Sequence, residues 1–346
     1  MLEDLIREWD GEEIVTGFDR PSGTWMFVCV HSTRRGPAGG GTRMKVYADP
    51  AEALTDAMRL SSAMTLKMAA VDIPFGGGKA VISVPAIPDG DERRRVLLRY
   101  GDLAASLGAT FQTGPDVNTS SADMDVIAER HTHVYCRSEE NGGSGDPGPF
   151  TAQGVYHGIR SSLRRVFGTD ELEGRTVLVQ GVGDVGGPLA EQLAADGARV
   201  LISDVAEQRV RGLVERISAE AVAPESALET TCDVYAPCAL GATVNAESIP
   251  GMRCRIVAGS ANNQLAEPED AERLRDAGIL YAPDYVINAG GVIYAWGTES
   301  LGWDRAAVGS RLAAIGDTLA DIYERADTEG ISTEQAAEAI ARGRLG

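Results

Sequence analysis

Lysine is nearly missing from this chain: of its 32 basic residues, only Lys45, Lys67 and Lys79 are lysines. Arginine keeps its charge, whereas a crowded or buried lysine can lose its proton. The two lysines twelve positions apart in "TLKMAAVDIPFGGGKAV" therefore mark a place where a neutral amine is usable. Positive charge is also short overall, 51 acidic against 32 basic residues, for a net charge of −19. That balance excludes the basic footprint nucleic acid requires. It describes a heavily solvated surface, and resembles that of salt-adapted proteins, although GC-rich coding also exchanges Lys for Arg. No apolar run approaches the ~20 residues of a membrane span. The opening "MLEDLIREWDGEE" lacks the basic-then-apolar order of a signal peptide. Cys29, Cys136, Cys232, Cys238 and Cys254 are scattered and form no C-x-x-C, which fits reduced thiols in a cytoplasm. His131 and His133, with Glu129, Glu139 and Glu140 nearby, follow no ligand spacing, so no metal is expected.

What is present suits two α/β domains: 346 residues, 43% of them hydrophobic. "DPAEALTDAMRLSSAM" predicts a helix capped by Asp49 with Pro50 in its first turn, delivering Lys67 near its end. "GGGKAVISVP" reads as a glycine turn feeding a strand, and "ATFQTGPDVNTSSADMDVIAER" as strand, loop and helix. Lys67, Lys79 and Asp116 thus fall at element ends, where side chains converge. The Gly/Pro-rich "EENGGSGDPGPF" predicts a linker. The expected domains are 1–138 for substrate binding and oligomerisation and 139–325 for a dinucleotide. A helical tail, 326–346, is expected to pack back on the first domain.

"TVLVQ" precedes Gly181, Gly183 and Gly186, a helix follows, and "ARVLIS" ends in Asp204, 23 residues after Gly181. This is the strand–glycine-turn–helix arrangement that cradles a pyrophosphate on backbone amides, with an acid for the adenosine ribose. The same glycines would also serve a βα turn without a ligand. Asp204 would repel a 2′-phosphate and favours NAD over NADP, with Arg209 close by in sequence. Two neighbouring lysines oppose each other's charge, so one amine becomes a candidate general base and the other a carboxylate holder. Ordinary surface lysines are the competing reading.

"GPAGGGTRM", "MTLKMA", "GGGKAVI", "TGPDVNTSSADMD", "VQGVGDVGG", "YAPCALGA", "GSANNQLA" and "YAPDYVINAGGVI" occur in order from residue 36 to residue 293. Together they resemble the Glu/Leu/Phe/Val dehydrogenase family over nearly the whole chain, and are most similar to its leucine-, valine- and phenylalanine-acting members. The resemblance implies an aminoacid dehydrogenase-like substrate domain and a Rossmann NAD domain separated by a cleft, in a homo-oligomer. It implies oxidative deamination: an L-amino acid, NAD and water give a 2-oxo acid, NADH and ammonia. Lys67 then matches the carboxylate-binding lysine, Lys79 the base and Asp116 the acid assisting proton transfer. Gly40 and Gly41 lie against the substrate carboxylate. Asn262 matches a residue near substrate and nicotinamide. Arg43, Thr151, Val182, Asp184, Val185, Val205, Cys238, Ala239 and Asn288 join the three glycines and Asp204 on the cofactor side.

In this family the residue before "GGTR" lines the substrate pocket, a lysine in glutamate enzymes and an apolar residue in leucine enzymes. Here it is Gly39, with Gly114 at a second pocket position. Two glycines leave volume, so phenylalanine is the expected substrate, unless Met64 or Val292 fills the space. Leucine, valine and tryptophan are the alternatives. A glutamate enzyme and a non-catalytic NAD-binding sensor are the more distant ones.

Overall fold

Five strands, β1 (Glu13–Asp19), β2 (Thr24–Ser32), β3 (Ala38–Lys45), β4 (Gly76–Ser83) and β5 (Phe111–Pro115), pair in the order β1-β2-β4-β3-β5. β2 runs antiparallel to β1 and β4, and β3 runs parallel to β4 and β5. Helices α1 (Leu2–Trp9), α2 (Pro50–Ala70), α3 (Gly90–Ala105) and α4 (Ser121–Ala128) cover the faces. The structure, a computed structural model, describes residues 2–239 and 241–345.

Alternation decides which face each side chain joins. Val28, Met44, Ile82 and Phe111 enter one core with Leu97 and Tyr100 of α3 and Met124 of α4. Phe27, Cys29 and Val81 enter the other, against Ala53, Ala57 and Met58 of α2. The Asp49 carboxylate accepts the amides of Ala51 and Glu52 at 2.8 and 2.9 Å, with Pro50 beside it, as the sequence predicts.

The glycine run departs from its sequence reading. Gly76–Gly78 are not a turn but the first residues of β4. A methyl on Gly77 would lie 2.1 Å from the Thr65 backbone nitrogen, and one on Gly76 1.8 Å from the Ser32 carbonyl oxygen. Glycine is used here for close approach, of α2 at Gly77 and of the end of β2 at Gly76, rather than for a bend.

After α5 (Gly148–Phe167) come β6 (Thr176–Gln180), α6 (Gly186–Ala195), β7 (Arg199–Ser203), α7 (Glu207–Ile217), β8 (Glu220–Ala221), β9 (Val234–Pro237) and β10 (Ile256–Val257). α8 (Asp270–Asp276), β11 (Leu280–Tyr281), α9 (Asp284–Ile287), α10 (Gly290–Glu299), α11 (Arg305–Glu329) and α12 (Thr333–Gly343) follow. The second sheet is parallel throughout, in the order β11-β10-β9-β6-β7-β8. Strand order runs outward from β6 in both directions, which puts a topological switch point at the carboxyl ends of β6 and β9.

Two compact units result. The first takes the chain to Asp146, then Ala295–Gly302 and the end from Arg344; the second takes Pro147–Tyr294 and Trp303–Gly343. The boundary therefore falls eight residues beyond the sequence expectation of 138/139. The tail also divides differently. Residues 326–343 belong to the second unit, where Thr333 Oγ1 donates to the Tyr281 carbonyl at 2.7 Å. Only the residues from Arg344 count with the first, its guanidinium donating to the carbonyls of Ala69 and Ala70. Among the described residues no helix is long and apolar enough to cross a membrane.

Candidate active site

On β3, β4 and β5 the residues that leave the sheet toward α2 are Gly39, Gly41 and Arg43; Gly77 and Lys79; and Gln112, Gly114 and, just past the strand, Asp116. Contacts fix the assignment, since a methyl on Gly39 would meet Met68 of α2 and Arg43 pairs with Asp56 of α2. Lys67 is buried near the end of the same helix, 8% exposed. Gly40 is pressed on β4, where a methyl would stand 1.8 Å from the Gly78 carbonyl oxygen. Of the substrate-side residues expected from this unit, Gly39, Gly41, Lys79, Gly114 and Asp116 share one face of the sheet, Gly40 points to the other, and Lys67 comes from α2.

At the centre, Lys79, 5% exposed, forms an ion pair with Asp116. Arg43 holds the same Asp116 oxygen through Nε at 3.2 Å and reaches Asp56 through Nη1 at 3.0 Å. Tyr47 donates to that Asp56 oxygen at 2.6 Å. Burial lowers the Lys79 pKa, Asp116 partly restores it, and the Arg43 charge lowers it again. Burial alone would raise the Asp116 carboxyl, but the charges of Lys79 and Arg43, with hydrogen bonds from Lys79 and the Val117 amide, hold it well below the usual carboxylate range. Arg43 gives Asp116 a second cation beside Lys79. Cys29, opposite Lys79 in the β2–β4 register, brings no charge, because burial pushes its thiol up to about 12.

Two expectations change here. Arg43, taken from the resemblance as a cofactor-side residue, is engaged by two carboxylates of the first unit. Gly39 does not leave a void: a methyl there would lie 2.8 Å from Met68 Cε and 2.9 Å from the Trp296 indole. Gly114 is open by comparison, the nearest atom to such a methyl being the Tyr135 carbonyl at 3.7 Å. Sequence reasoning missed Asp56, Tyr47 and Trp296, since each lies outside the motifs and becomes a site residue only through the packing of α2 and α10. Nor is His131 a ligand candidate: it is buried, and its Nε2 donates to the Phe111 carbonyl at 3.0 Å.

In the second unit the carboxyl ends of β6, β7, β9 and β10 gather the remaining residues. Gly181 turns the chain at φ +91°, and a methyl on Gly186, where α6 begins, would stand 1.9 Å from the Gly181 carbonyl oxygen. A methyl on Gly183 would meet only Arg209, at 3.6 Å, so the loop is open above its second glycine. Asp204 accepts the Val182 and Ala206 amides, each at 2.8 Å, and so braces the loop. Val185 is the residue before α6, Val205 is 88% exposed, and Cys238 and Ala239 border the turn at Gly186 and Gly181. Asp184 lies within the same turn. Asn288 donates to Asn262 at 2.8 Å and to the Ser260 carbonyl at 3.1 Å, while its own buried Oδ1 has no hydrogen-bond partner among the described residues. Thr151 of α5 touches Gly291, next to Val292. Tight turn, open glycine and helix amides are the features that suit the pyrophosphate of a dinucleotide.

Family profiles match both parts of the chain: the Glu/Leu/Phe/Val dehydrogenase dimerisation domain over residues 23–133, and glutamate/leucine/phenylalanine/valine dehydrogenase over 202–345. The chain belongs to the Glu/Leu/Phe/Val dehydrogenase family of amino acid oxidoreductases. Within that family it is 41% identical to a leucine dehydrogenase of Bacillus cereus over 99% of this chain and 93% of that protein. It is 45% identical to a valine dehydrogenase of Streptomyces albus, over 96% and 92%. The solved L-tryptophan dehydrogenase of Nostoc punctiforme shares its fold at a TM-score of 0.82 with 35% identity, covering 100% of this chain and 98% of that one.

Proposed function

We propose that this dehydrogenase oxidatively deaminates an apolar L-amino acid with NAD, giving the 2-oxo acid, NADH and ammonia. The observation carrying this reading is the buried Lys79–Asp116 pair, with the Lys79 pKa lowered by burial, on one sheet face with Gly39, Gly41 and Gly114, while Lys67 is buried near the end of α2. A buried ion pair stabilises little and is costly to keep, so a non-catalytic binder gains nothing from it. Lys67 would pair with the substrate carboxylate, the bare backbone at Gly40 and Gly41 allowing close approach. NAD, held by the Gly181–Gly186 loop, the α6 amides and Asp204, supplies the acceptor for the hydride leaving Cα. Lys79, once neutral, would remove a proton from the water attacking the imine left by hydride loss, and Asp116, ionised, would hold the resulting ammonium until that proton is returned to the departing amine.

The substrate side chain follows from Gly39. Its neighbours Met68 and Trp296 bring no cation for a second carboxylate, which disfavours glutamate, and they occupy the volume on which phenylalanine was expected. A branched aliphatic substrate, leucine or valine, fits the filled pocket, in line with the named relatives. Phenylalanine keeps one support, the open side at Gly114. Assembly as a homo-oligomer in the cytoplasm belongs to the same reading, on the dimerisation-domain profile and the five free thiols.

The test is NAD reduction followed across pH with leucine, valine, phenylalanine, tryptophan and glutamate. Activity on an apolar amino acid, rising with pH along a limb below lysine's ordinary 10.5, is expected. No NADH with any amino acid, or glutamate as the best substrate, overturns the proposal.

A further inference from the structure

Residues that no motif marks gather around Trp296, which packs on Gly39. Trp296, 4% exposed, lies over it with its indole, and the indole Nε1 donates to Gln112 Oε1 at 3.2 Å. The Tyr135 hydroxyl donates to the same oxygen at 2.9 Å and accepts from Ser300 Oγ at 2.6 Å. The rings of Tyr135 and Trp296 are 5.2 Å apart and inclined at 51°. One turn further along α10, Glu299 Oε1 accepts the amides of Cys136 and Ser144 at 2.8 and 3.2 Å, together with the Ser144 hydroxyl. All of these belong to the first unit. The indole is thus held by its own hydrogen bond, by an aromatic neighbour and by a clamp on its helix, rather than resting loosely in a gap. Gly39 shares its sheet face with Lys79 and lies on the strand with Gly40 and Gly41.

We propose that Trp296 is the specificity-determining residue for the substrate side chain, its indole standing where Gly39 provides none. This rests on the dehydrogenase reading above. Gly39 and Trp296 form a complementary pair: a side chain at 39 requires a smaller one at 296, and removal of the indole opens room for an aromatic substrate. Glu299 is a positioning residue, keeping the end of α10 against the 136–144 loop.

The experiment compares kcat/KM for L-phenylalanine and L-leucine, with NAD, in the wild type, Trp296→Ala and Trp296→Phe. Trp296→Ala should raise the phenylalanine-to-leucine ratio by about tenfold or more, the scale at which pocket volume discriminates, and Trp296→Phe should shift it in the same direction by less. A ratio unchanged in an active variant refutes the proposal. Should Trp296→Ala not fold, Trp296→Phe carries the same reading. Thermal denaturation adds an arm independent of activity: Gly39→Ala should lower Tm, and adding Trp296→Phe to it should restore part of the loss. Strict additivity of the two changes overturns the pairing. If the wild type reduces NAD with no amino acid, the dehydrogenase reading fails, while the Tm arm still decides the pairing.

Discussion

The first unit buries its polar groups on the face of a sheet; the second sets them along the ends of strands. On the face, Lys79, Asp116, Arg43 and Asp56 hold one another; burial lowers the Lys79 pKa, while charged partners outweigh burial and hold Asp116 low. At the edge, backbone amides and glycine geometry predominate, with Asp204 bracing the loop. A substitution on the face should therefore act through proton chemistry, and one at the edge through the shape of the backbone.

Lys79→Ala probes this division hardest. It should reduce kcat by about 10²–10⁴, the usual contribution of a positioned base, while NAD affinity measured by fluorescence titration stays within about twofold. A parallel loss of NAD affinity would break the separation of roles. Gly186→Ala should do the reverse. Its methyl meets the Gly181 carbonyl, so the turn must open, at about 1–3 kcal/mol for such overpacking. KM for NAD should rise and the unfolding midpoint fall, with the pH limb of activity unmoved; unaltered NAD binding would show that the loop does not carry the cofactor.

Arg43→Met sharpens the comparison with the smallest effect. The Arg43 cation disfavours protonated Lys79, and without it Asp116 also has only Lys79 to balance its charge. Both effects favour the protonated amine, so the acid limb of kcat/KM should move to higher pH. An unmoved limb with a raised KM for NAD would instead return Arg43 to the cofactor side.

The edge site was the more legible in the sequence because its motif is its mechanism. The spacing of Gly181, Gly183 and Gly186 and the acid at 204 describe a turn built from consecutive residues, and β6, α6 and β7 lie where the pattern puts them. On the face, lysine scarcity pointed to Lys67 and Lys79, and both proved buried. The glycines beside Lys79 misled, because a glycine run inside a strand looks the same on paper as a turn; only the approach of Thr65 and Ser32 tells them apart. Gly39 misled for a related reason. Its empty side is filled from residue 296, and no local pattern links positions so far apart.

That distance has a consequence for the order of synthesis. The first unit needs Trp296 and Glu299, which leave the ribosome about 150 residues after Asp146, a delay on the order of 8–30 s at about 5–20 residues per second. During that interval the nascent sheet carries Lys79 and Asp116 but lacks the indole that closes over Gly39. The face that carries Lys79 and Asp116 can form early, whereas the indole over Gly39 arrives only when the chain is nearly complete.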